Sequence, residues 1–198
     1  LIGFTLTNGF SNEETKGGAI SISKSSTISY CLIIKNFSGG YFGTPIIIAG
    51  TSNNHNTFDH LTVFDNYDLL NGGINNGVVL SGASGNENVI TITNSIYEWY
   101  EYYGVDYPPA ENYSNNYSFN EAWEQYNPFF CDPENGDYSL AANSPCVSTV
   151  LNGVNIGALG VGCDALSFAP FIEDIANQQT NEDEPLTVNI SASSQMGS

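Results

Sequence analysis

The stretch "STISYCLIIKN", residues 26–36, is rich in β-branched and aromatic side chains and runs into an asparagine. Short runs of that composition read as strands rather than helices. The pattern returns along the chain. "GFTLTNG" at 3–9, "YCLIIKN" at 30–36, "HLTVFDN" at 60–66 and "VITITNS" at 89–95 resemble one another. Taking Phe4/Leu6, Cys31/Ile33, Leu61/Val63 and Ile90/Ile92 as equivalent apolar pairs gives spacings of 27, 30 and 29. Anchoring instead on Asn8, Asn36, Asn66 and Asn94 gives 28, 30 and 28. The choice decides which side chains face inward. The period does not depend on it.

A second strand class lies between these segments: "GGAISIS" at 17–23, "TPIIIAG" at 44–50 and "GVVLSG" at 77–82, with apolar pairs Ile20/Ile22, Ile46/Ile48 and Val78/Leu80. A third short element, "STIS" at 26–29 and "NTFD" at 56–59, precedes the main segment. Each repeat therefore holds two or three short strands with Gly, Asn and Ser at the corners. No stretch has the helical period a βαβ crossover needs. Such repeats predict an all-β solenoid, a parallel β-helix of about four coils of 27–30 residues. Inward apolar positions should stack as ladders, and corner asparagines should share amide hydrogen bonds between turns. An antiparallel sandwich is the competing architecture.

The charge balance narrows function. The chain of 198 residues carries 21 acidic residues against 3 lysines, for a net charge of −18, and has no arginine. Phosphate binding needs clustered Lys and Arg, so a nucleic-acid partner is excluded. No apolar run is long enough for a membrane span, and no signal peptide is present. The acidity suits either solubility in a salty or extracellular medium or Ca2+ binding by some of the carboxylates. The chain opens directly in a strand pattern without an initiator Met, and reads as a piece of something longer.

Taken with the coil segments, "NPFFCDPENGDYSLAANSPC" at 127–146 and "NIGALGVGC" at 155–163 resemble the closing segment of right-handed parallel β-helix repeat proteins of bacterial surface or secreted type. The tail, "APFIEDIANQQTNEDEPLTVNISAS" at 169–193, resembles the start of a cadherin-like or immunoglobulin-like module. The resemblance implies three regions. Coils and an aromatic lid occupy 1–126, a disulfide-containing cap 127–164, and a linker with an incomplete sandwich strand 165–198. It also implies an exported, extracellular or cell-surface location. Phe129 and Phe130 are expected to plug the open end of the coil. Cys31 falls at an inward strand position. The other three cysteines lie in the cap, which in an exported protein implies one bridge and one thiol left over. Cys131–Cys146 is the first choice and Cys146–Cys163 the rival.

Catalytic signals are thin. β-Helix lyases use Arg or Lys as base. Here only Lys16, Lys24 and Lys35 are available, and they read as surface residues. Asp59 and Asp65 flank one strand with no carboxylate partners on neighbouring turns, so a glycosidase pair is not built. His55 and His60 have a poor spacing for zinc. Two features remain. The aromatic run Tyr97, Trp99, Tyr100, Tyr102, Tyr103 and Tyr107 reads as a lid over the last coil, a protein interface or a glycan platform. Asp132, Asn135 and Asp137, and separately Asn181 to Glu184, offer Ca2+ ligands without EF-hand spacing. The expectation is a non-catalytic adhesion or assembly module that associates with itself, with other surface proteins or with glycans. An unpaired first turn and the strand-like tail at 185–192 suggest head-to-tail filaments. A glycan-binding module or a polysaccharide lyase or hydrolase is the alternative.

Overall fold

The computed structural model describes residues 1–12, 17–39, 44–50, 54–82, 89–98, 100–103, 113–118, 128–147, 153–166, 171–172 and 192–193. The protein is all-β. Among the described residues helix is confined to one 3-10 turn, Pro133–Asn135. The order of strands within sheets explains the repeat. Thr5–Leu6, Leu32–Ile34, Thr62–Phe64, Ile96–Tyr97 and Tyr117–Ser118 lie side by side, all parallel. Ile20–Ile22, Ile46–Gly50, Val78–Gly82 and Tyr100–Tyr103 form a second parallel sheet, and Ser26–Ser29, His55–Asp59, Val89–Thr93 and Tyr113–Ser114 a third. In a fourth, Phe10–Ser11, Phe37–Ser38 and Tyr67–Asp68 are parallel, and Gly73–Ile74 returns antiparallel.

Most of the expected registers are the observed ones. Ile46 faces Ile20 on one side and Val78 on the other, and Ile48 likewise faces Ile22 and Leu80. Thr5 faces Leu32 and Leu32 faces Thr62, which puts Phe4, Cys31 and Leu61 in one column and Leu6, Ile33 and Val63 in the next. The fourth apolar pair is different. Ile90 faces Asn56 and Ile92 faces Phe58, so "VITIT" continues the "NTFD" element and not the main segment. The main strand resumes at Ile96, opposite Thr62. That turn is longer: Leu61 reaches its neighbour Ser95 only after 34 residues, against 27 to 30 in the earlier turns, and the extra length is shared between the segment that holds the antiparallel return and the segment from Val78 to Val89.

The Asn-anchored register mixes two jobs. Asn36 and Asn66 form the expected amide ladder. Asn36 Nδ2 donates to Asn66 Oδ1 at 2.9 Å, and Asn66 Nδ2 donates to Asn76 Oδ1 at 3.2 Å. All three are buried. Asn8 and Asn94 are instead left-handed corner residues, with φ of 58° and 51°. Gly3, Tyr30, His60, Asn94 and Asn115 share positive φ and form one corner column, in which each of the first four donates its N–H to the strand end of the next turn. Asn8, Lys35 and Asp65 form the second column in the same way. Left-handed backbone favours Gly, Asn, Asp and His. That preference explains why the segments run into such residues.

Two apolar clusters use opposite faces of the five-stranded sheet. Cys31, Ile33, Leu61 and Val63 point to an inner cluster with Ile22, Ile28, Ile46, Ile48, Phe58, Ile90, Ile92 and Tyr97. Leu32, Ile34 and Ile96, with Phe64 and Tyr117 at its margin, point the other way. They meet Phe130, Tyr138, Leu140, Cys146 and Ile156 of the C-terminal segment. The expected end plug is therefore a side cover. Phe130 and Tyr138 pack edge-on to Phe64, with ring centroids at 4.9 and 5.9 Å. Ala158 N–H donates to Thr62 Oγ1 at 2.9 Å, and Gly157 N–H to the Asn94 carbonyl at 2.7 Å. A Cβ at Gly157 would sit 2.7 Å from Ile96 Cδ1, so only glycine allows this approach. The physical reason for the correction is that Leu32, Ile34 and Phe64 alternate with Cys31, Ile33 and Val63. Both faces of this sheet are apolar and both need covering.

Within the cover, Asp137–Ala141 is flanked by Phe130–Asp132, antiparallel, and Val161–Cys163, parallel. The disulfide is Cys131–Cys163, with Cα atoms 5.9 Å apart. Neither expected pairing forms. Cys146 faces inward, is buried, and is a free thiol, as is buried Cys31. Burial pushes the Cys146 thiol up to about 12, although Ser144 offsets part of this. Native protein is therefore expected to take up no iodoacetamide. Denatured unreduced protein should take up two equivalents, at Cys31 and Cys146, when read by mass spectrometry. Labelling of Cys131 or Cys163 without reductant would contradict this pairing.

In the tail, Phe171–Ile172 pairs antiparallel with Ala192–Ser193. The strand expected at 185–192 lies outside the described residues save Ala192.

Candidate functional site

Of the aromatic run, Tyr97 is buried in the inner cluster and does not face solvent. Tyr100, Tyr102 and Tyr103 belong to the strand beside Val78–Ser81. Trp99 and Tyr107 lie outside the described residues.

The acidic turn is spent on its own geometry. Asp132 caps the 3-10 turn and accepts from the Asn135 N–H at 3.3 Å and from Asn135 Nδ2 at 2.8 Å. Asp137 accepts from the Ser139 N–H at 3.0 Å, and the Ser139 bonds hold its carboxyl below the usual carboxylate range. Among the described residues no three His, Cys, Asp or Glu side chains gather to hold a metal ion. Asn181 to Glu184 lie outside them.

A corner cluster gathers the other polar candidates. Asp59 accepts from Thr93 Oγ1 and Asn94 Nδ2, both at 2.8 Å, and lies 2.8 Å from His60 Nδ1. Burial pushes its carboxyl up, but the bonds from Asn94, His60 and Thr93 outweigh that and hold it low. Tyr30 stacks on His60, with centroids 4.4 Å apart. These groups fasten successive left-handed corners to one another. His60 is buried and His55 exposed on the same strand edge, so the two histidines are not brought together. Lys35 and Asp65 face each other at 4.0 Å on the surface. Such an exposed pair contributes about 0–1 kcal/mol.

An ordered array facing solvent lies elsewhere among the described residues. Phe10, Phe37, Tyr67 and Ile74 are direct cross-strand neighbours in the fourth sheet. Their strand-mates Ser11, Ser38 and Asp68 are buried, and Ser11 and Ser38 bond to each other at 3.1 Å. Period-two alternation then turns every aromatic outward. No protein-family model, curated protein or solved structure matches this chain. The array must therefore be judged on its own chemistry. Its signal was present in the sequence as "GFS" at 9–11, "NFS" at 36–38 and "NYD" at 66–68, spaced like the strands before it. Each triplet is too short to read as a strand by itself, so it passes for a corner.

Proposed function

We propose that the chain is a right-handed parallel β-helix that works as a non-catalytic, exported structural and adhesive module. The observation that carries the reading is the use made of its polar side chains. Asn36 bonds Asn66 one repeat on, Asn66 bonds Asn76 within its own repeat, Ser11 bonds Ser38, and Asp59 ties Thr93 and Asn94 to its own corner. Groups committed to holding the backbone are poorly placed to shuttle protons to a substrate. Parallel strands joined by crossovers wind right-handed almost without exception, which supports the handedness. A bridge between two strands that flank a third suits an oxidising compartment.

The test is to incubate the protein with neutral and acidic polysaccharides and to follow new reducing ends and unsaturated sugar products. None should form. Product that scales with protein and disappears in Asp59→Asn would replace this reading with an enzyme.

A further inference from the structure

We propose that the outward face of the sheet Phe10–Ser11, Phe37–Ser38, Tyr67–Asp68 and Gly73–Ile74 is a binding strip for a neutral glycan chain; this rests on the adhesive reading above. Phe10, Phe37, Tyr67 and Ile74 are 70%, 39%, 39% and 41% exposed, although they are adjacent in register. The Phe37 and Tyr67 rings are 6.4 Å apart and tilted by 53°. Leu69 and Leu70 in the following turn are exposed too. Single exposed apolar residues need no explanation, but a contiguous run marks a place of contact.

Size and charge select the occupant. Four neighbours at a strand spacing of about 4.8 Å make a strip about 14 Å long and one side chain wide. A stable protein interface needs about 800 Å² from each partner, which so narrow a strip falls well short of. A second copy of the chain is therefore a poor fit, and at a net charge of −18 it is also repelled. The same charge disfavours acidic polymers. Among the described residues a cationic polymer finds no free carboxylate on the strip. Asp68 is buried, and its oxygens accept from the Leu70 and Asn71 N–H groups and from the Asn71 amide at 2.8 to 3.1 Å. A neutral glycan fits what is left. The C–H face of a sugar ring lies against an aromatic ring, and its hydroxyls stay with water or with the Tyr67 hydroxyl at the strip.

The experiment is native electrophoresis of the full chain in gels containing hydroxyethylcellulose, mixed-linkage β-glucan, galactomannan or alginate. Retardation is expected in at least one neutral gel and not in alginate. The Phe37→Ala/Tyr67→Ala double variant should weaken it at least about tenfold, the equivalent of ~1.4 kcal/mol. Phe10→Ala should weaken it less, because that ring ends the row. Phe37 and Tyr67 are more than half covered, so the double variant should also lose some cross-strand packing; running the gels well below its measured unfolding midpoint separates lost binding from lost fold. Unaltered mobility in every gel overturns the strip, as does retardation that survives the double variant or self-association that Tyr67→Ala abolishes. The outcomes are separable from the reading beneath them. A glycan that binds at the strip and is cleaved removes the non-catalytic function but keeps the strip. No retardation and no cleavage removes the strip alone.

Discussion

Replacing Asn66 by leucine is expected to lower the free energy of unfolding by about 4 kcal/mol, an unusually large effect for one side chain of nearly equal size. Asn66 joins its own strand to the preceding one and to the segment after the antiparallel return. Its Nδ2 donates to the Ile33 and Phe64 carbonyls at 2.9 and 3.0 Å and to Asn76 Oδ1 at 3.2 Å. Its Oδ1 accepts from the Asn36 N–H at 3.1 Å and from Asn36 Nδ2 at 2.9 Å. Leucine fills the space but leaves buried backbone groups without partners. Each such group costs about 1–3 kcal/mol, which far exceeds the transfer gain of an extra apolar side chain. Asn56 is the control. It is equally buried, yet neither its Oδ1 nor its Nδ2 has a hydrogen-bond partner among the described residues. Asn56→Leu should therefore be neutral or stabilising. Urea unfolding of both variants decides the matter. Equal losses at the two positions would mean that the turn-to-turn amide ladder does not set the stability.

How much of this was legible depended on what kind of interaction carried the information. The isoleucine columns at positions 20, 46 and 22, 48 were readable because local strand propensity and inward burial agree there, and a repeated agreement fixes a register. The Ile90 column is not legible because "VITITNS" looks like the main segment, while its register is set by extra length earlier in that turn, part of it in the antiparallel return and part after Val78. The side cover was illegible for a related reason. Leu32 and Ile34 are as apolar as Cys31 and Ile33, so alternation alone does not say which face is the inside. Covering both faces is a tertiary solution. The exposed strip escaped because its strands are two residues long, below the length at which periodicity becomes a signal. The long aromatic run drew attention by composition, yet its first member, Tyr97, is core.

Loss of the Cys131–Cys163 bridge is expected to cost about 4 kcal/mol, since it closes a long loop that the unfolded chain would otherwise leave open. The separation of 32 residues is about twice that of the Cys131–Cys146 alternative, and the entropic gain rises with the logarithm of loop length. The loss should not fall evenly over the molecule. Val161–Cys163 is otherwise held by few backbone bonds, among them Leu140 N–H to the Gly160 carbonyl at 3.0 Å and Ala142 N–H to the Cys163 carbonyl at 3.1 Å. Gly162 packs against Ser139 so closely that a Cβ would fall 1.9 Å from its Oγ, which leaves no room for a compensating side chain. Opening this edge loosens the strand Asp137–Ala141, and with it Tyr138, whose hydroxyl donates to Asp65 Oδ2 at 3.2 Å and whose ring covers Phe64. The parallel sheets beneath keep their own ladders and inner cluster. The Cys131→Ala/Cys163→Ala variant should therefore unfold in two steps, the cover first, with dye binding to the bared Leu32, Ile34, Phe64 and Ile96 face before the strands are lost. Cys146→Ala, at a buried thiol with no bridge, should keep a single transition and lose only the smaller energy of a trimmed core side chain. A single unchanged transition in the double variant would show that the cover is held by its aromatic packing alone. A two-step transition would mean that the bridge is the fastening of a separate layer, and that the five-stranded sheet depends on it to keep its second apolar face dry.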